Sequence, residues 1–387
     1  MEDAIRVLIC PQEFKGSLSA KDVANAIVEG LYQTEFSVEL TVIPLSDGGP
    51  GTVDSFLSVK KGRSIEVNVH GPQGEDINAK YGLFDTGDQR IAVIEAAAAC
   101  GLVLTNYSNR NPLEASSYGV GELILHAINS GASKLLIGVG GTGTNDGGTG
   151  LVKALGMKLL NENKDELKSN ILQLVQLHSI EKNEELLTPE NLNLFVAADV
   201  RNKLLGTEGA TKIFGPQKGV QDWQILAVDE ALTQWAYVIK QNFGVDVQTI
   251  EGSGAGGGLV SGLLAYAYSS DINITVGSGA EFIADLVGLG DAVANADLII
   301  TGEGTLDNQT QYGKCVGYVS LLAKEMCKPC IAIVGQEGGH GLDFFDVEVI
   351  KEDKMSIEES MLQGKHLVRA AAERAFLRWN KKIRNID

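Results

Sequence analysis

The sequence predicts an α/β protein built on a mostly parallel sheet, and three observations carry that expectation. Short apolar runs recur along the 387 residues, each followed by a Gly/Ser/Asp-rich loop and then by a stretch with helical spacing. The composition is globular, 44% hydrophobic and 21% charged, in a chain long enough for two domains. One interlude, residues 62–95, breaks the pattern by alternating apolar and polar positions, with turn signals at "GPQG" and "DTGDQ". It predicts antiparallel strands and a second subdomain beginning near residue 62.

Taken in order, "IRVLICP" reads as a buried strand that runs through "QEFKGSLS" into the helix "AKDVANAIVEGL". There Val23, Ile27, Val28 and Leu31 share one face. "VELTVIP" runs through "LSDGGPG" into "TVDSFLSV". After the interlude, "VGELILHAIN" puts Val120, Leu123, Ile124, Ala127 and Ile128 on one stripe. "KLLIGV" runs through "GGTGTNDGG" into "TGLVKALG", and "ADLIITG" through "EGTLDNQTQYGK" into "CVGYVSLLAKEM". Residues 160–190 are polar and charged and are expected at the surface, and no solenoid repeat is visible. In sheets of this kind ligands bind beyond the carboxyl ends of the strands, where each of these polar loops falls.

Fifty acidic against 32 basic residues give a net charge of −18. That argues against sequence-independent nucleic-acid binding, which needs a basic stripe, and against an anionic membrane surface. The opening "MEDAIRVLICPQEFKG" has no apolar run long enough for a signal or a span. Five cysteines make no disulfide framework, and a reducing cytoplasm fits them best. Cys327 and Cys330 have dithiol spacing in "CKPC", but they end a helical run and open the strand "CIAIVG". A redox pair more often follows a strand and opens a helix, so a structural junction is the expectation.

The stretch with the most chemistry in it is "IGVGGTGTNDGG", residues 137–148. A Gly-rich turn after a buried strand can aim backbone N–H groups at a phosphate. The loop lacks the lysine of a Walker motif and matches a dinucleotide fingerprint only loosely. It offers Thr142, Thr144, Asn145 and Asp146, which suit a Mg²⁺-phosphate or a polyol. A tight turn with capping Asn and Asp would look the same. A second glycine run, "GSGAGGGLVSGLL" at 252–264, is either another anion nest or a close helix contact. Lys15 and Lys218 stand in turns, and Asp47, Asp199, Glu303 and Asp307 stand at strand ends. Acids and lysines gathered at strand ends are what phosphoryl transfer requires. His70, His126, His178, His340 and His366 have no metal-ligand spacing, and no G-x-S-x-G is present.

In its motifs the chain resembles the bacterial-type glycerate kinase family, which phosphorylates glycerate with ATP. The resemblance runs over roughly residues 5–380 and rests on long stretches in the family's order. They are "PQEFKGSLSA", "PLSDGGPGTVD", "VIEAAAACGL", "SYGVGELILHAINSGASKLLIGVGGTGTNDGGTGLVKALG", "AADVRNKLLGTEGATKIFGPQKG", "GSGAGGGL" and "ADLIITGEGTLDNQTQYGK". It implies a Rossmann-like parallel-sheet domain made from both chain ends, residues 1–61 plus 284–387, with a mixed α/β domain, 62–283, inserted and a cleft between the two. It also implies ATP with Mg²⁺ as donor, glycerate as acceptor and 2-phosphoglycerate as product. On that reading Lys15, Asp47 and Asp199 are the expected catalytic residues. Gly140, Gly141, Thr142, Thr144, Asn145, Lys218, Ser253 and Gly254 are expected to bind the nucleotide or its phosphates, and Asp146 and Glu303 the metal; Ser17 matches a position lining the cleft. The expected partners are small molecules, with neither nucleic acid nor membrane and with a homo-oligomer left open.

Three departures from the family pattern stand out. Gln12-Glu13 replaces an Asp-Ser, Pro50 a glutamate, and Thr305 an arginine. Loss of an arginine and two acids would shift substrate preference or lower activity. A kinase of a related sugar acid or polyol is therefore the second reading, and a non-catalytic nucleotide- or metabolite-binding regulator the third.

Overall fold

The computed structural model describes residues 4–87, 89–183, 191–308, 310, 314–339, 341–352 and 354–383. His340 and part of the "DNQTQYGK" loop lie outside them. The described strands are β1 (Ile5–Ile9), β2 (Val38–Val42), β3 (Gly62–His70), β4 (Asp76–Thr86), β5 (Gln89–Glu95), β6 (Lys134–Gly138), β7 (Met157–Leu160), β8 (Ser179–Lys182), β9 (Asn193–Ala197), β10 (Asn273–Gly277), β11 (Leu298–Leu306), β12 (Cys330–Glu337) and β13 (Asp346–Val349). The chain divides into two units, and the fold class is the mixed α/β arrangement the sequence predicts.

The first unit comprises Met1–Asp47, Asp54–Lys60 and Ser278–Asp387. Its sheet runs β13-β12-β11-β1-β2, every pair parallel. Parallel strands buried on both faces must be apolar throughout, and Val7, Ile9, Leu298, Ile300, Ile331 and Ile333 are all fully or nearly fully buried. The helices Ala20–Leu31 and Gly364–Ile383 cover one face with Val23, Ile27, Leu31, Ala372 and Phe376. Ser19 caps the first of them, its hydroxyl accepting from the N–H of Asp22 at 3.1 Å. The two helices touch so closely that a Cβ on Gly30 would sit 2.3 Å from the Arg369 carbonyl oxygen. Any side chain there would force them apart. Truncating Phe376 to alanine would cost about 3–5 kcal/mol. On the other face Val316, of the helix Cys315–Glu325, packs with Leu306, Ala332 and Val334.

The second unit comprises Gly48–Val53 and Lys61–Gly277. Its sheet runs β10-β9-β6-β5-β4-β3, parallel from β10 to β5 and antiparallel from β5 to β3. The alternating interlude is thus antiparallel, as its pattern predicts. Leu135, Ile137 and Val196 of the sheet pack with Leu123, Ile124, Leu151, Trp235 and Leu259 in one large core.

The expectation of a surface segment at 160–190 needs correction over its described part. Leu167, Ile171, Leu174, Leu177 and Ile180 are buried in that core, and β7 pairs with β8 in a small antiparallel sheet. The charges between them are solvent-facing and masked an apolar spacing too sparse to read. Residues 184–190 lie outside the described part.

Candidate functional site

In the first unit the chain leaves β1 for β2 on one side, while β11, β12 and β13 proceed to the other. The loops after β1 and β11 therefore diverge and leave a crevice at the strand ends. A cavity of about 220 Å³ opens there, and Lys15, Asp47 and Glu303 all line it. Gln12 continues the β1–β11 pairing by donating its backbone N–H to Gly302 O at 2.8 Å. Its side-chain Nε2 then donates to Asp47 Oδ2 at 2.7 Å, while its Oε1 is buried without a hydrogen-bond partner. The turn Phe14–Leu18 bends back on itself, leaving Lys15 exposed at the rim.

Three carboxylates share this cavity. Glu303, 5% exposed, titrates above the usual range because burial penalises its charge. The Thr310 hydroxyl, donating to Oε1 at 2.7 Å, and Lys314, 3.8 Å from Oε2, work against that rise; Asp307 and Asp47 reinforce it. Burial also raises Glu13, with Lys15 opposing and Asp47 adding to the shift. The arrangement can hold anions through two lysines and protons through its acids.

In the second unit the glycine loop follows β6. What it approaches so closely is backbone of its own unit. A Cβ on Gly257 would lie 2.1 Å from Thr144 O, and one on Gly148 would lie 2.9 Å from Leu259 O. Gly257 and Gly148 also hold φ of 74° and 75°, where a side chain is strained. The two glycine runs are therefore partners of one another, which is the close-contact alternative.

Asp146 is buried and its carboxylate is fully engaged. Oδ2 accepts from Ser117 N at 2.9 Å, Ser117 Oγ at 2.8 Å and Gly150 N at 3.1 Å, and Oδ1 accepts from Gly148 N at 3.1 Å. Lys218, 2% exposed, donates to Thr144 O at 2.7 Å and to Thr142 Oγ1 at 3.3 Å. Burial pulls its ammonium down to about 8, opposed by Cys100 and Asp146. Asn145 Nδ2 donates to Thr211 Oγ1 at 3.1 Å. Ser253 Oγ accepts from Leu204 N at 3.0 Å, and Gly254 N donates to Asn202 O. Gly140 and Gly141 are exposed, and Asp199 stands half-buried just beyond β9.

The structure thus brings Lys15, Asp47 and Glu303 to one cavity of the first unit. It groups Thr142, Thr144, Asn145, Asp146 and Lys218 in one buried network of the second. Sequence reasoning missed Lys314 and Ser117. A glycine-lysine pair just before a helix was the available signal for Lys314; for Ser117 there was only a serine before "YGVGELIL". Among the described residues no group of three or more His, Cys, Asp or Glu could hold a metal ion. No described helix is long and apolar enough to cross a membrane.

Acids and lysines converging at the strand ends of a parallel sheet are the parts that an enzyme transferring phosphoryl groups between small molecules uses. Comparison with known proteins narrows the class. The profile described as the glycerate kinase family matches residues 7–380. A glycerate kinase of Halalkalibacterium halodurans is 38% identical over 97% of this chain and 99% of its own length. A glycerate 2-kinase of Escherichia coli K12 is 39% identical over 86% of this chain and 85% of its own. A crystal structure from Salmonella typhimurium LT2, proposed to be glycerate kinase 2, superposes with a TM-score of 0.84 at 38% identity, covering 98% of this chain and all of that one. The chain belongs to the glycerate kinase family and is accordingly an enzyme, a glycerate kinase.

Proposed function

We propose that the chain transfers the γ-phosphoryl group of ATP to the 2-hydroxyl of glycerate, giving 2-phosphoglycerate and ADP. Family membership and the name of the E. coli relative, a glycerate 2-kinase, support the reaction. One observation carries the residue roles: Lys15, Asp47 and Glu303 converge on one strand-end cavity.

In this reading Lys15 grips the glycerate carboxylate, which fixes both hydroxyls because the molecule has only three carbons. Asp47 accepts the proton of the attacking hydroxyl as the oxygen–phosphorus bond forms and the bond to the ADP oxygen breaks. Gln12 holds Asp47 in place through Nε2, and its buried, unpartnered Oε1 is an acceptor for a substrate hydroxyl. Asp47 is preferred to Asp199 because it shares its cavity with Lys15 and Glu303.

Mg²⁺ bound with phosphates needs only one or two carboxylates, and when bound it neutralises charge on the transferred group. Glu303, facing the cavity, fits that need with Asp47 beside it. Asp146 does not fit it, because four donors already occupy its oxygens. Thr142, Thr144, Asn145 and Lys218 shape the loop, whose exposed Gly140 and Gly141 are its part open to a phosphate oxygen.

A coupled ADP-release assay with D-glycerate tests the activity. Phosphorus NMR of the product tests the position, since a secondary phosphate ester gives a doublet and a primary one a triplet. A triplet would mean 3-phosphoglycerate. The second reading, a related sugar acid or polyol as acceptor, draws on one observation: Gln12-Glu13 and Thr305, two of the three departures from the family pattern, line this cavity. A panel of such acceptors turning over faster than glycerate would establish it.

A further inference from the structure

The first-unit cavity has a side that the acceptor cannot use. Its acids come from the strand ends, but Ile357, Ser360 and Met361 come from the short helix Ile357–Leu362. Ile357 and Met361 are four positions apart and so share a helix face. Met361 lies over the β1 loop, its methyl 3.0 Å from where a Gly16 Cβ would be. Its backbone carbonyl accepts from Ser17 Oγ at 2.7 Å, which ties the helix to that loop. Ile350 and Phe14, both buried, complete an apolar wall. Ile357 is nevertheless 50% and Met361 38% exposed. An apolar wall left partly uncovered beside charged groups is stabilised by a ligand that covers it. Glycerate, with a carboxylate and two hydroxyls on three carbons, has no apolar face to offer.

We infer that this cavity receives the purine base and ribose of the nucleotide donor, the base against Met361 and Ile357 and the phosphates toward Glu303 and Lys314. The inference rests on the kinase reading above and moves the nucleotide from the glycine loop to the first unit. Two further observations agree with it. The cavity lies between β1 and β11, where the strand order reverses, which is where open parallel sheets bind nucleotides. Gly148 and Gly257 of the second unit, by contrast, are accounted for by backbone packing. Lys314 suits the phosphate end: it lines the cavity, is half-buried, and is held only loosely by Glu303.

The test uses the full chain labelled with [methyl-¹³C]methionine, the Met361 signal being assigned through Met361→Leu. AMP and D-glycerate are titrated separately. AMP is expected to move the Met361 methyl by ring current, and glycerate to leave it nearly still. Met361→Glu is expected to raise the KM for ATP about tenfold, the equivalent of about 1.4 kcal/mol, with the KM for glycerate within about twofold. A methyl that ignores AMP in a chain that turns over ATP and glycerate would overturn the placement. So would a variant that raises the KM for glycerate instead. If the unaltered chain releases no ADP, the kinase reading fails, while an AMP-shifted methyl still supports the pocket.

Discussion

At the ends of β1 and β11 the first unit leaves Glu13, Asp47 and Glu303 lining a cavity, two of them lifted in pKa by burial. At the end of β6 the second unit buries Asp146 beneath four donors and Lys218 against two loop oxygens. Both regions are strand-end loops of parallel strands, and both read as phosphate chemistry in sequence. The difference is where the polar groups are satisfied. A group paired inside its own loop fixes shape; a group facing a cavity keeps capacity for a ligand.

Substitutions that fall on opposite sides of this contrast should separate it. Asp47→Asn should lower kcat by on the order of 10²–10⁴ if Asp47 is the base, with the KM for ATP changed little. A coupled assay with a melting curve reads both, and a kcat near that of the unaltered enzyme would remove Asp47 from the chemistry. Asp146→Asn should act on stability instead. An amide cannot accept from every donor now aimed at the carboxylate, and each hydrogen bond to a charged group contributes about 1.5–3 kcal/mol. Urea unfolding should show a loss of roughly 3–5 kcal/mol. Full stability with hundredfold slower turnover would instead put the carboxylate on a ligand.

Lys218 sharpens the contrast through pH. Its folded pKa, about 8, lies below the ordinary lysine value, so between the two the unfolded chain binds more protons. The penalty for burying its charge is fully present below pH 8 and is relieved as pH rises. Stability relative to Lys218→Met should therefore increase by about 1 kcal/mol between pH 8 and 9. Parallel pH profiles for the two chains would show that the ammonium is not desolvated. The smallest effect belongs to the cysteines. Cys327 is exposed in a turn with φ of 53°, and Cys330 is buried at the start of β12. Changing both to serine should leave kcat/KM within about twofold in reducing and oxidising buffer, since neither thiol lies in the cavity lining. A redox-dependent rate lost in the double variant would contradict that.

The repeated strand, loop and helix were legible because periodicity survives translation into structure. "AKDVANAIVEGL" is the helix Ala20–Leu31, and the alternating stretch is β3, β4 and β5. The positions of Lys15, Asp47 and Glu303 at strand ends were legible for the same reason. The purpose of the glycines was not. "GGTGTNDGG" shows that something comes close, while the identity of that neighbour, Gly257 and Leu259 more than a hundred residues on, is a tertiary fact. Ser117 and Lys314 were hidden likewise, because each matters only through a partner, Asp146 or Glu303. The buried leucines of residues 160–180 were outvoted by the charges around them.

The pairing of β1 with β11 sets a timetable for synthesis. Val7 lies opposite Leu298, and Arg6 clamps Asp297 through two side-chain hydrogen bonds, 291 positions away. At about 5–20 residues per second, β1 waits roughly 15–60 s at the ribosome before that partner exists. Over that interval one edge of an apolar strand is unpaired, an aggregation hazard. The inserted unit, residues 48–53 and 61–277, emerges whole in the meantime and has its own core. Ribosome-bound chains halted near residue 320, with roughly the last 30–40 residues still in the exit tunnel, should therefore hold a protease-resistant inserted unit beside a protease-sensitive leading segment, which becomes protected only once β11 has cleared the tunnel.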